Sequence, residues 1–163
     1  MKKVMPISIY PILESDKNWV KKIVEGWLAD FIVSRGWKIY PAEIDGFYAA
    51  DESGKRIGMV TYEIIDNQGE IVTLDAFEKF QGIGTALIEA VKKVARQKKC
   101  RRLWLITTND NLEAIRFYQR RGFTLAAVYV NALSLSRKIK PSIPEMGSFG
   151  IPMRDEIEFE MFF

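Results

Sequence analysis

The sequence predicts a mixed α/β fold of the α+β kind, as one domain over residues 1–163. Its centre is expected to be a mostly antiparallel sheet of about six to seven strands with helices on both faces. Three observations predict it. Residues 47–77 read as a strand meander punctuated by hairpin turns. Helical periodicity recurs in three separate stretches. Residues 70–108 form a strand–helix–strand unit in mid-chain. A chain of 163 residues suits one domain and can bury a core without metals or disulfides.

The elements follow in order. Residues 7–13 read as a strand. Ser15 then caps a helix whose apolar positions Trp19, Val20, Ile23, Val24, Trp27 and Leu28 share one face. A less regular stretch to Ile44 includes a short strand at 31–34. Strands 47–50 and 56–65 are joined by Asp-Glu-Ser-Gly-Lys, and strands 56–65 and 70–77 by Asp-Asn-Gln-Gly, both with hairpin chemistry. A helix over 85–99 carries Leu87, Ile88, Val91 and Val94 on one side. Residues 103–108 are a strand. The helix over 112–121 turns Ala114, Ile115, Phe117 and Tyr118 inward, and Gly122 stops it. Residues 123–132 are a strand, and 134–154, with three prolines and two glycines, are expected to be a long loop. In the last strand, 156–163, Ile157, Phe159 and Met161 alternate with Glu156, Glu158 and Glu160, giving one buried and one wet face.

Composition excludes whole classes of chemistry. There is no histidine, which removes Ser-His-Asp and Cys-His arrangements and every imidazole zinc site. The single cysteine, Cys100, removes disulfide frameworks and thiolate clusters and agrees with a reducing cytoplasm. A net charge of +3 does not imply nucleic acid as a partner. The dense basic stretch of Lys92, Lys93, Arg96, Lys98, Lys99, Arg101 and Arg102 is expected to be a solvated helix face near a helix C-terminus. Its other reading is a docking surface for a polyanion or a phosphorylated cofactor. No uncharged run approaches the roughly 20 residues that a bilayer needs, so no membrane partner is expected.

The sharpest local feature is Lys79-Phe80-Gln81-Gly82-Ile83-Gly84-Thr85, between a strand and a helix. Two glycines permit a tight turn whose N–H groups converge at the positive end of a helix dipole, which is a phosphate site. It is not a nucleotide P-loop, because no lysine follows Gly84. Nor is it a dinucleotide fingerprint, because Leu87 stands where a third small residue is required and no acid lies over 101–105.

A second constellation spans 105–123, with Asn111 opening a helix and Tyr118 two turns along the same face. Together the two motifs resemble the GNAT superfamily of acetyl-coenzyme A-dependent N-acetyltransferases. The second motif is complete in Asn111, Ala114, Phe117, Tyr118, Gly122 and Phe123. In the first, Gly82 and Gly84 match. Lys79 replaces the usual Gln or Arg, and Phe80 a common glycine. The element order over nearly the whole chain is also similar.

The resemblance implies a GNAT-like acyl-coenzyme A N-acyltransferase fold and transfer of acetyl from acetyl-coenzyme A directly to a primary amine. It implies that the turn Lys79, Phe80, Gln81, Gly82, Ile83, Gly84 and Thr85 holds the pyrophosphate. The backbone of Leu74, Asp75 and Ala76 would pair with the pantetheine arm, Asn111 would hold that arm from the other side, and Tyr118 would sit near the sulfur as general acid. A base must deprotonate the amine, whose pKa lies near ~10.4 for a lysine-like ammonium. Glu70 is favoured, with Glu63, Asp75 and water as alternatives. The acceptor, a small-molecule or protein amine, would lie against residues 27–44 and 134–154. There Trp27, Trp37, Tyr40 and Phe149 offer an aromatic wall, and Asp155, Glu156 and Glu158 can attract a cation. The chain is expected as a monomer or homodimer. A non-catalytic acyl-coenzyme A binding module is the competing reading, and a nucleic-acid-binding domain a third.

Overall fold

A computed structural model describes residues 5–78 and 82–163. In chain order the elements are β1 (Ser8–Pro11), α1 (Lys17–Glu25), β2 (Ile32–Ser34), β3 (Trp37–Ile39), β4 (Asp45–Ala50), β5 (Arg56–Ile65) and β6 (Gln68–Ala76). Then follow α2 (Ile83–Gln97), β7 (Arg102–Thr108), α3 (Leu112–Arg120), β8 (Thr124–Tyr129), α4 (Ala132–Ile139) and β9 (Glu156–Phe162). Seven strands form one sheet in the order β1-β4-β5-β6-β7-β9-β8, and β2 and β3 form a separate hairpin. Within the large sheet only β6 and β7 run parallel, the two being joined through α2.

The turns behave as their residues dictate. Asp66 and Asn67 both sit at positive φ (51° and 61°), so β5 and β6 are joined by two residues of the mirror-image type that matches strand twist. In the preceding turn the Asp51 carboxylate accepts the amides of Ser53 and Lys55 at 2.9 and 3.0 Å.

Adjacent residues of β5 point to opposite faces and fix the layering. Val60 joins Leu87, Ile88 and Val91 of α2 in the main core with Ile71, Leu103, Leu105 and Phe159. Met59 joins Val20 and Val24 of α1 instead. Helices α1 and α2 therefore cover opposite faces of the sheet.

Four sequence expectations are corrected. Ser15 does not cap α1. It lies in a 3-10 turn, Glu14–Asp16, where Asp16 accepts the Leu13 amide and pairs with Arg56 at 2.6 Å. The expected long loop begins with α4, whose Leu133 and Ser136 are buried, and all three prolines fall after the helix. Arg137 then ties the returning chain by donating to the carbonyls of Pro144 and Met153. Residues 37–39 are a strand, β3, within a stretch expected to be irregular. The basic stretch is a solvated face only in part. Lys92 is buried against Glu89 and the Arg121 carbonyl, and Arg102 is paired with Glu158 and Glu160 across β7 and β9. Among the described residues no helix is long and apolar enough to cross a membrane.

Candidate active site

The site begins where two strands part. β6 and β7 pair only from Gln68↔Arg102 to Ile71↔Leu105. Beyond that point β6 runs on to Ala76 and β7 to Thr108 without touching in register. The break has a local cause. On its other side, β6 shifts register against β5 from Tyr62↔Ile71 to Thr61↔Thr73, which leaves Val72 as an extra residue. Such a bulge bends a strand and disrupts its ladder. The edge of β6 over 72–76 that faces β7 therefore has no strand partner. Its backbone N–H and C=O groups are free to pair with an extended ligand.

The mouth of this cleft lies at the start of α2. Gly82 is its N-cap at φ 74°, with open space where a Cβ would stand. Gly84 answers a different need. A Cβ there would come 2.9 Å from the Phe117 ring, so only glycine lets the first turn of α2 lie on α3. Ile83 is buried in the core, and Thr85 accepts a hydrogen bond from Arg121 Nε at 2.9 Å. The first amides of α2 have no intrahelical acceptor, as at any helix start. The remaining turn residues expected at the site, Lys79, Phe80 and Gln81, lie outside the described residues.

Asn111 caps α3: its Oδ1 accepts the Ala114 amide at 3.2 Å, which leaves the Nδ2 amide for another partner. Tyr118 is buried, edge-on to Phe117 and Phe123, in the same cluster as Ile71 and Leu105, the last paired residues of the parting strands. Its hydroxyl makes no hydrogen bond among the described residues, and burial drives its pKa well above the ordinary tyrosine value. Leu74 packs on the core, Ala76 is exposed, and Asp75 is half-buried opposite Met59 with its carboxyl pKa raised by burial.

Glu70 sits one residue before the strands part, opposite Trp104 of β7 and Glu63 of β5. It lines a cavity of about 630 Å³ together with the β2–β3 hairpin. Burial first, then the neighbouring charges of Glu63, Glu156 and Glu158, push its pKa up to about 7. A hydrogen bond from Ser34 Oγ at 2.5 Å opposes them. The cavity is also lined by Trp37, Tyr40, Trp104, Glu43 and Glu63.

Half of the expected acceptor wall is thus present, in Trp37 and Tyr40, and half is not. Trp27 packs with α1 against Met59, and Phe149 lies exposed in the turn between α4 and β9, outside this cavity. The acids expected to draw a cation already have partners: Asp155 pairs with Arg154, Glu156 with Arg35, and Glu158 with Arg102. Glu63 makes no ion pair or hydrogen bond among the described residues. Ser34, Glu43 and Trp104 were not anticipated. Of these only Trp104 carried a signal, since strand alternation puts it on the wet face of β7.

A parallel strand pair that parts at a bulge, a helix N-terminus at its mouth and a half-buried carboxylate at its closed end fit an acyltransferase of the acetyl-coenzyme A type. Residues 8–123 match the Acetyltransferase (GNAT) family. The chain is 50% identical to the protein YdhI of Bacillus subtilis (strain 168) over 117 residues, 72% of this chain and 73% of that protein. The chain belongs to the GNAT acetyltransferase family. Its fold is similar to that of an IAA acetyltransferase from Bacillus cereus ATCC 14579 (TM-score 0.75, 20% identity, 97% of this chain and 100% of that one). It is also similar to a GNAT family acetyltransferase from Elizabethkingia anophelis with acetyl-CoA bound (TM-score 0.66, 23% identity, 96% and 98%).

Proposed function

We propose that the protein uses acetyl-coenzyme A to acetylate a primary amine held in the cavity between the β2–β3 hairpin and the sheet. The observation that carries this reading is Glu70: a half-buried carboxylate with a pKa near 7, next to the point where β6 and β7 part. Acetyl-coenzyme A supplies the activated acetyl thioester. The residues fit such a cofactor on two grounds: the unpaired edge of β6 over 72–76, and the open, Cβ-free position at Gly82.

The chain's own groups have separate tasks. Glu70 Oε accepts the proton of the incoming ammonium, directly or through water, because its pKa is matched to neutral pH. Glu63 and Asp75 are the competing bases, Glu63 next to Glu70 and Asp75 on the unpaired stretch. Tyr118, kept protonated by burial, would give its hydroxyl proton to the leaving thiolate and regain one from the second proton that the nitrogen sheds as the amide forms. Backbone N–H groups of β6 beyond Ile71 would supply donors to the thioester oxygen, and the Nδ2 amide of Asn111 would hold the pantetheine arm. Trp37, Tyr40 and Trp104 supply rings on which a cationic amine can rest.

The test is thiol release from acetyl-coenzyme A against a panel of primary amines. Turnover that rises with pH through about 7, and loses that limb in Glu70→Gln, supports the reading. Tight cofactor binding with no turnover on any amine would overturn it in favour of a non-catalytic acyl-coenzyme A module.

A further inference from the structure

One wall of the cavity beside Glu70 is the β2–β3 hairpin, which stands outside the main sheet. Each of its strands has three residues, and a hairpin so short is marginal by itself. Its two turn residues, Arg35 and Gly36, both sit at positive φ (50° and 81°). Such a turn favours asparagine or glycine, and a bulky side chain is disfavoured in that region. The arginine is compensated by what its side chain reaches.

Arg35 reaches β9 and β8. Its backbone amide donates to Glu156 Oε2 at 3.2 Å, and its Nη1 donates to Glu156 Oε1 at 3.1 Å. Its guanidinium carbon lies 3.2 Å from the centre of the Tyr129 ring. Glu156 is buried, and its carboxylate has no other partner among the described residues. Removing the arginine side chain therefore leaves a buried charge without a counter-ion. The base of the hairpin is held separately. There the buried Lys140 ammonium, just after α4, donates to the Phe31 carbonyl at 3.2 Å.

Ser34 lies between these two anchors. It is buried, and its Oγ makes the one hydrogen bond to the Glu70 carboxylate among the described residues. The charged groups around Glu70 are Glu63 on β5, Glu156 and Glu158 on β9, and Arg35, Lys38 and Glu43 across the cavity. Arg102 of β7 is committed to Glu158 and Glu160. Trp37 and Tyr40 line the cavity just beyond the turn, so the anchor that sets Ser34 also sets the aromatic wall.

We propose that Arg35 is a positioning residue: by clasping Glu156 it holds the hairpin over Glu70, and so fixes both the acceptor cavity and the Ser34 contact to the base. This rests on the proposed function, in which Glu70 deprotonates an amine bound in that cavity. Arg35 acts through Ser34, Trp37 and Tyr40 rather than on the reacting atoms. Its loss frees the tip of the hairpin and admits water to Glu70. Two effects on Glu70 then compete. Water relieves the burial that raises its carboxyl pKa, whereas an unpaired Glu156 adds to the neighbouring charge that raises it. Burial is the larger cause.

Two measurements on the wild type, Arg35→Met, Arg35→Lys and Ser34→Ala test it: amide hydrogen exchange, and kinetics against pH with acetyl-coenzyme A and the fastest amine of the thiol-release panel. Arg35→Met should raise the amine KM by about 10-fold or more and leave the acetyl-coenzyme A KM within about twofold. Its acidic limb should fall from about 7 toward 4.5. Amides of residues 32–39 should exchange about 10-fold faster or more, while those of α2 keep their protection. Arg35→Lys keeps a cation for Glu156 and should recover part of each effect. Ser34→Ala keeps the clasp and loses the hydrogen bond that lowers Glu70, so its limb should move up with the amine KM nearly unchanged. In Arg35→Met, a limb that rises, an unchanged amine KM, equal weakening of both KM values or a hairpin that exchanges as slowly as in the wild type overturns the proposal. If the wild type acetylates no amine, the proposed function falls, and exchange in Arg35→Met still decides whether the clasp holds the hairpin.

Discussion

The two faces of the central sheet are built by different means. The face under α2 and α3 is one continuous apolar cluster, from Ile57 and Val60 through Leu103 to Phe159, closed around Tyr118. The opposite face, over β6, β7 and β9, is charged: Glu63, Glu70, Glu156, Glu158 and Glu160, with Arg35 and Arg102 threaded between them. One face provides stability and, on the proposed function, adjoins a cofactor cleft made largely of backbone. The other provides titratable side chains whose properties depend on long-range neighbours. On the proposed function the base lies on one side of the strands and most of the apolar core on the other, with Tyr118 belonging to both, so substitutions at Glu70 and in the core should be felt mainly in different measurements.

The largest expected effect lies on the charged face. On the proposed function, Glu70→Gln should lower kcat/KM by about 10²- to 10⁴-fold at pH 8, read by thiol release. A smaller loss would move the base to Glu63, Asp75 or water. On the apolar face, Leu103→Ala should cost about 2–5 kcal/mol of stability in denaturant titration, with activity retained while the protein is folded. Leu103 is fully buried.

Tyr118→Phe sharpens the contrast because the residue belongs to both systems. The hydroxyl has no hydrogen-bond partner among the described residues, so its removal should leave Tm nearly unchanged. Its proposed role as acid predicts a fall in kcat of about 10- to 100-fold. An unchanged kcat would make it a core residue only.

The smallest effect is a pH-dependent stability change of Glu70 itself. Its carboxyl pKa is raised from 4.5 to about 7 by folding, so the folded state prefers the proton. The stability this group contributes is complete below about pH 4.5 and is lost as pH rises through about 7. Glu70→Gln should therefore be about 1–3 kcal/mol more stable than the wild type at pH 8 and equal to it at pH 4, measured by thermal or urea unfolding.

Much of the apolar face was legible in the sequence because backbone geometry dictates residue type there. A left-handed N-cap calls for Gly82, close helix contact requires Gly84, a helix start favours Asn111 and a helix stop Gly122. Each leaves a mark at fixed spacing. The charged face was legible only in outline. Glu70 was singled out, but its neighbour Ser34 is 36 residues away and Trp104 is 34 residues away, and no local pattern records such meetings. Helix α4 was hidden for a related reason. Its Ala-Leu-Ser-Leu-Ser opening alternates with a strand-like period of two, and the prolines beyond it colour the whole segment as loop. Asp155, Glu156 and Glu158 looked available because sequence does not reveal that Arg154, Arg35 and Arg102 meet them.

Arg102 has one mechanical consequence. At the closed end of the cleft its guanidinium grips Glu158 and Glu160 of β9, while a hydrogen bond to Gln68 reaches across to β6. The parting strands thus share a riveted pivot, and each resembles one arm of a pair of tweezers. A small rotation about that pivot moves the nearby rungs around Glu70 very little. The same rotation is magnified toward Ala76 and Thr108, several residues along each arm at about 3.3 Å per residue. The rungs around Glu70 are therefore the part of the cleft held most firmly, and the gap between the two strands is set by geometry farthest from that pivot.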